Sequence, residues 1–412
     1  MDFAAGALQT GAMGADFLRR MDWLGARRVT AYLRLFAAVN AIMLVWLVAT
    51  SHDGVDLNGY LLGSDFISFW TTGHMLVDHA NPYDGAAHIL AQRTYYSAEG
   101  AYTAFYYPPS FLLFCWPLGW LSYFPALGLW LLATGAFYLA VLRRWWRDAG
   151  TGVPLWLLFV AFPAVPIVVT HGQTAFLVAG LLGLGACLVP ARPWLAGVLF
   201  GLATIKPQFG LLLPLVLLAT WEWRVIAAAG VTALLLALLS AGLFGGQAWI
   251  DWLGASERAQ VAMAHGQIGY GKMMSPFAAL RLLGASMTVS YVVQAVTTLA
   301  VALLVLKASW RRDWTQGLAA LTLAGAPLAT PYVLDYDMVI LAFPMLWLVG
   351  QGLHGSCPGE GWRDWERLAL FVAFAAPALA RPLALQIGLP IMPLAMLLLF
   401  WTIRRRVMAA PS

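Results

Sequence analysis

Residues 31–50 read AYLRLFAAVNAIMLVWLVAT, an apolar run whose one charged residue, Arg34, stands near its start. As a helix, a stretch of that length rises about 30 Å, the thickness of a bilayer's hydrocarbon core. Comparable runs recur as far as residue 403. The 412-residue chain is 61% hydrophobic and 10% charged, with a mean hydropathy of +0.75. A soluble domain carries about 25% charged residues, so the pattern is that of a polytopic membrane protein. In lipid every backbone polar group must be satisfied internally, which leaves helices or a closed barrel. The runs are continuous rather than alternating, and this selects helices. The 39 glycines and 22 prolines are tolerated in membrane helices.

Hydropathy places spans near 31–50, 124–142, 154–170, 174–190, 193–205, 208–220, 224–244, 287–307, 316–330, 337–351, 366–380 and 387–403, about twelve in all. The short apolar stretch 111–121 reads as a tilted lead-in to the second span or as an interfacial piece. Arginine and lysine in short loops set orientation. Arg19, Arg20, Arg27 and Arg28 stand before the first apolar run and Arg34 near its start, and "LRRWWRD" follows the second. Arg192, Arg224, "KASWRRD", "WRDWER" and "IRRR" then fall on the same side if there are twelve spans. Both termini are therefore expected in the cytoplasm of a cell with the chain in its inner (plasma) membrane. Residues 1–30 read as a short, partly disordered cytoplasmic lead and not as a signal peptide. Residues 31–412 read as one transmembrane domain, with outer loops at 51–110 and 245–286.

The net charge of +5 is a matter of topology. No basic stripe with interleaved aromatics points to nucleic acid. Cys115, Cys187 and Cys357 show no metal or disulfide spacing, and a structural role fits them. There is no glycine-rich phosphate loop after a strand, no Asp-x-Asp pair in the first outer loop and no His/Cys cluster.

Nearly every polar residue set in apolar context falls at the outer face: Asp65, His171, Gln173, Lys206, Gln208, Asp335 and Asp337. Ionisable residues at membrane depth are costly and face cavities, so their convergence suggests one outward-facing site. In "SDFISFWTTGHML", Phe66, Phe69, Trp70 and Gly73 share one helical face, and Asp65, Ser68 and Thr72 a more polar one. This predicts a helix lying at the membrane surface, anchored by its aromatics. Asp65 then has two readings, a first-turn carboxylate facing the helix dipole or the centre of a site. Asp84, in "HANPYDG", reads first as a helix start, and "FYYPPSFLL" reads as a proline-initiated helix among interfacial aromatics. His171 alone reads as an interfacial residue. The halves of 193–220, about 12–13 residues each, rise only about 20 Å, which predicts a cavity cut into the outer leaflet with Lys206 at its floor. Lys206 there needs an anion or a snorkelling path. Asp335 and Asp337 read as caps, as holders of sugar hydroxyls or as partners that orient Lys206.

In order along the chain, "SDFISFW…HANPYDG", "YYPPSFLLFCWPL", "GQTAF", "AGVLFGLATIKPQ" and "TPYVLDYD" resemble the motifs of glycosyltransferase family 87. These are polyprenyl-phosphate-sugar-dependent enzymes of the GT-C superfamily, and the resemblance runs over roughly residues 40–350. It implies an all-α, GT-C-type fold with a long first extracytoplasmic loop. It also implies transfer of a hexose, with mannose the family-weighted sugar, from a polyprenyl monophosphate to a hydroxyl of a lipid or glycan acceptor. The transfer would be inverting and extracytoplasmic, without metal or cofactor. On this resemblance Asp65 is the general base. Lys206, His171, Gln173, Gln208, Tyr107, Asp84, Tyr332, Asp335, Tyr336 and Asp337 form the substrate-binding set. Lys206, with His171, meets the leaving phosphate as a point charge. One branch of the family carries a Trp and a His in the late motif, where this chain has Val333, Leu334, Asp335, Tyr336 and Asp337. A transporter or lipid-linked-saccharide flippase would also show broken spans and polar cavities, but its internal repeat is missing: the first outer loop has no counterpart in the second half. A non-catalytic membrane scaffold or polymerase partner is a third reading.

Overall fold

The structure is a computed structural model that describes residues 16–95, 102–354 and 361–409. Cys357 and the first half of the N-terminal lead, residues 1–15, lie outside the described residues. Within them the chain is helical throughout, with isolated β-bridges and no strand. Six helices are long and apolar enough to cross a membrane: Ala26–Ala49, Tyr123–Ala149, Trp223–Phe244, Met287–Ser309, Asp335–His354 and Glu366–Ile387. The chain is a multi-pass membrane protein. Only 17%, 17% and 22% of the apolar windows of Ala26–Ala49, Trp223–Phe244 and Met287–Ser309 are buried in protein. Their exposed leucines and valines, such as Leu234, Leu238 and Val296, therefore face lipid. Asp335–His354, with 78% of its window buried, runs through the protein interior.

The remaining expected spans are shorter or broken. Proline explains the breaks, since it removes a backbone donor and clashes with the preceding turn. The 154–170 segment splits into Leu155–Ala161 and Ala164–His171 at Pro163. The 193–220 segment is two short apolar helices, Pro193–Ile205 and Pro207–Ala219, meeting at Lys206 and Pro207. Each rises about 20 Å against a core of about 30 Å, as the sequence predicted.

The aromatic helix, Phe66–Val77, is where the structure departs from the sequence reading. Phe66, Phe69 and Trp70 are 0%, 1% and 3% exposed, and Ser68 and Thr72 are equally buried. A helix covered on every face belongs inside a protein, not at a lipid surface. Its cover is the 109–120 segment, a run of short helical turns punctuated by Pro109 and Pro117. The two backbones touch at Gly73 and Gly119: a Cβ on Gly119 would stand 2.2 Å from the Gly73 carbonyl oxygen. Trp70 Nε1–H donates to the Leu121 carbonyl at 2.8 Å. The 111–121 stretch thus packs Leu112, Cys115 and Leu118 inward and leaves Trp116 and Trp120 exposed. It leads at Ser122 into the long Tyr123–Ala149 helix.

The second outer loop supplies helices Gln247–Ala264 and Pro276–Leu282. Ser275 caps the latter by accepting from Ala278 N–H at 3.1 Å. A backbone bond from Met274 N–H to the Val333 carbonyl, 2.9 Å, ties this loop to the late segment. Loop segments 51–110 and 245–286 and the short connections between helices thereby close around one cavity.

Candidate active site

The cavity has a volume of about 950 Å³, at the upper end of the range of small-molecule sites. Asp65, Tyr107, His171, Gln173, Lys206, Gln208, Tyr332, Asp335 and Tyr336 all line it. Asp337 stands directly behind Lys206. Asp84 is elsewhere: it is exposed, and its carboxylate caps the Gly85–Tyr95 helix by accepting from Ala86 and Ala87 N–H at 3.0 and 3.2 Å.

Asp65 occupies the N-cap position of the aromatic helix but makes no capping hydrogen bond with its side chain. Its Oδ2 instead accepts from Gln173 Nε2 at 2.8 Å. The amide's orientation is set from behind. Gln173 Oε1 accepts from the Thr174 backbone N–H and from the Tyr107 hydroxyl, each at 3.0 Å. The nitrogen must therefore face Asp65. Tyr107 also meets Thr174 Oγ1 at 3.0 Å, so the hydroxyl of Thr174 donates to Tyr107, which donates to Gln173.

Backbone geometry brings these groups together. Gly172 ends the Ala164–His171 helix in the left-handed region, φ +65, where glycine carries no steric penalty. Its missing Cβ also leaves room for Phe66 Cβ, which would lie 2.6 Å away. The turn delivers Gln173 to the start of the next helix. Opposite it, Gly63 N–H donates to Thr170 O and Asp65 N–H to His171 O, both at 3.0 Å. The Tyr123 hydroxyl reaches the carbonyls of Leu62 and Gly63 at 2.7 and 2.9 Å.

On the floor, Lys206 Nζ donates to Asp337 Oδ1 at 2.8 Å, both side chains almost wholly buried. The other Asp337 oxygen accepts from Leu334 N–H at 3.1 Å. The Tyr336 ring lies 5.0 Å from the ammonium, a cation–π distance. Asp335 Oδ1 accepts from Tyr336 N–H at 2.9 Å, while Oδ2 is buried with no hydrogen bond and has Arg381 Nη1 at 3.5 Å. His171 Nδ1 donates to the Ile167 carbonyl at 2.8 Å, which fixes the tautomer and leaves Nε2 to accept from Arg381 at 3.4 Å. Burial pushes the Tyr102 phenol up to about 12 and that of Tyr332 higher still. At neutral pH both are uncharged hydroxyls facing the cavity, suited to sugar recognition.

Sequence reading missed the wall that the second outer loop contributes, which includes Trp252, Gln260, Gln267 and Lys272. It also missed Arg381 as the partner of Asp335. These residues lie in loop or in a helix whose pattern is set by lipid, so no spacing announced them. Thr174 was within reach, adjacent to Gln173 in the quoted "GQTAF".

Among the described residues no cluster of three or more His, Cys, Asp or Glu could hold a metal ion. A family model described as glycosyltransferase family 87 matches residues 105–331. No curated protein and no solved structure matches the chain.

Proposed function

The chain belongs to glycosyltransferase family 87, membrane glycosyltransferases that join a sugar donor to an acceptor, and from that premise we propose a specific reaction. A hexose, mannose by family weight, passes from a polyprenyl monophosphate to an acceptor hydroxyl with inversion. Asp65 takes the hydroxyl proton, the acceptor oxygen attacks the anomeric carbon, and the bond to the phosphate oxygen breaks on the opposite face. Gln173 holds one oxygen of Asp65 and leaves the other for the acceptor. Gln208, Tyr107, Tyr332 and Tyr336, with His171 and Asp335, offer hydroxyl, amide, imidazole and carboxylate groups to the sugars. Lys206 and Asp337 form the polar floor beneath them.

The observation that carries this reading is Asp65 itself. A carboxylate at a helix start would ordinarily cap that helix, yet this one points at an oriented amide on the wall of a large cavity. General-base catalysis requires a proton acceptor within hydrogen-bond reach of the substrate. The test is transfer by the purified protein in detergent, given radiolabelled polyprenyl-phosphate hexoses and candidate lipid or glycan acceptors. Labelled product is expected with one donor; no product with any donor would sink the reading.

The membrane arrangement proposed with it is a single GT-C-type domain over 31–412, about twelve spans, both termini cytoplasmic and the cavity extracytoplasmic. The alternation of arginine clusters supports it. Ala91→Cys, in the first outer loop, should react with an impermeant maleimide in intact cells. Reaction only after permeabilisation would move the site to the other face.

A further inference from the structure

The cavity's charges leave one question open, namely which group meets the phosphate. Among the described residues two ammonium groups line the cavity, those of Lys206 and Lys272, and no arginine does. Lys206 is already paired with Asp337, 2.8 Å away, and the side chains are only 4% and 3% exposed. Drawing Lys206 onto a phosphate would strand Asp337 as a buried carboxylate without its counter-charge, a costly arrangement. His171 is held by Ile167 and Arg381, and Arg381 lies against Asp335. Asp65 and Asp335 make the walls near them acidic. Among the described residues, Lys272 Nζ makes no hydrogen bond and no ion pair. It is the one lining cation there whose charge is uncompensated.

The backbone under Lys272 is fixed. It closes the Tyr270–Lys272 turn, and the next two residues are tied to the late segment by the Met273–Leu334 bridge and by Met274 N–H to Val333 O, 2.9 Å. At Gly271 a Cβ would stand 2.7 Å from Leu385 of the Glu366–Ile387 helix. The turn is thus clamped between two elements, with Lys272 lining the cavity. Apolar lining from the same loop, Met263 and Ile268, offers a surface for a hydrocarbon next to that charge.

We propose that Lys272 is the phosphate-binding cation of this cavity, taking a prenyl monophosphate headgroup, with Met263 and Ile268 against its first isoprene units. This rests on the reading of the donor given above and extends it. In a polyprenyl-phosphate hexose the phosphate is a diester with one negative charge. When the anomeric carbon–oxygen bond breaks, its electron pair stays on the phosphate oxygen. The acceptor's proton goes to Asp65, and the leaving lipid becomes a monoester with two negative charges. A cation beside it is bound more strongly as the bond breaks, which is the condition for catalysis as opposed to mere binding.

The test compares farnesyl phosphate with farnesol as ligands of the full chain in detergent. The wild type should bind the phosphate at least about tenfold tighter than the alcohol. Lys272→Gln should abolish that preference and leave farnesol affinity unchanged, which also shows that the variant is folded. Lys272→Arg should keep the preference. A wild type without preference, or a Lys272→Gln that retains it, overturns the proposal. Hexose transfer is measured separately. If Lys272→Gln loses the phosphate preference and the wild type transfers no hexose, the phosphate site stands and the transferase reading falls. If the wild type transfers hexose and the phosphate preference survives in Lys272→Gln, the transferase reading stands and the phosphate site falls.

Discussion

Two buried ion pairs mark opposite ends of this molecule, and they differ in what they leave unsatisfied. Arg406 and Glu366 are 5% and 2% exposed and meet through two hydrogen bonds, the Nη2–Oε2 bond at 2.8 Å. Arg406 also donates to the Gly361 carbonyl, and Glu366 accepts from the Arg363 N–H. Neither borders the large cavity. Lys206 and Asp337 are buried to the same degree, but Lys206 makes one hydrogen bond and borders that cavity. The two ends are far apart: Arg381, near the cavity, sits fifteen residues beyond Glu366 on the same helix, roughly 22 Å at 1.5 Å per residue. Burial alone does not distinguish an ion pair sealed in the core from one that borders a cavity. What distinguishes them is the completeness of the hydrogen bonding and the presence of a space beside it.

The largest expected effect probes the open end. Asp65→Asn keeps shape and hydrogen bonding but cannot take a proton, so hexose transfer should fall by about 10²–10⁴ with expression and unfolding temperature unchanged. Initial rates measure it, and a near wild-type rate would return Asp65 to a purely structural role. The sealed end should respond in stability instead of rate. Glu366→Gln strands the Arg406 charge and should lower stability by about 3–5 kcal/mol, with transfer per folded molecule unaffected. Adding Arg406→Met should recover much of that loss. Thermal unfolding in detergent reads both variants, and an undiminished Glu366→Gln would break the comparison.

Acid should loosen one end before the other. His88, packed against Thr72 and Gln92 in the first outer loop, is held down to about 4 by burial. Its folded value lies below the unfolded one, near 6.5. The stability it contributes is complete above that pH and is lost as pH falls towards 4, to a limit of roughly 3 kcal/mol. Hydrogen exchange of the Gly85–Tyr95 helix should rise over that window while amides around Arg406 stay protected. The smallest effect concerns the glycine crossing. Gly119→Ala meets the Gly73 carbonyl and should cost about 1–3 kcal/mol. Because the displaced helix carries Asp65, transfer should fall along with the unfolding temperature; unfolding alone would detach this contact from the site.

Much of the architecture was legible because hydropathy is a local property. The helical class, the short helices either side of Lys206 and the convergence of polar residues all follow from composition along the chain. The aromatic helix shows the limit. A pattern of Phe66, Phe69 and Trp70 declares an apolar face, but lipid and protein interior satisfy that face equally. Only the 109–120 segment, folding back through the Gly73–Gly119 contact, decides it. Pairings across 108 residues, Gln173 with Asp65, or 131, Lys206 with Asp337, leave no periodic trace. Nor does Glu366–Arg406, a buried pair away from the cavity. Lys272 stands in loop sequence with no pattern around it, and its isolation becomes meaningful only once Lys206 is seen to be paired.

The bonds that seat Asp65 run from main chain to main chain, Gly63 to Thr170 and Asp65 to His171. A point mutation can delete a side chain but not a peptide group. The station of the carboxylate is therefore insulated from most changes in the residues around it. For an engineer seeking new acceptor preferences, this sorts the cavity into two kinds of position. Gly63, Asp65, Gly172 and Gln173 stay fixed in a combinatorial library. Tyr102, Gln260 and Gln267, which line the cavity and supply none of those bonds, can be randomised together.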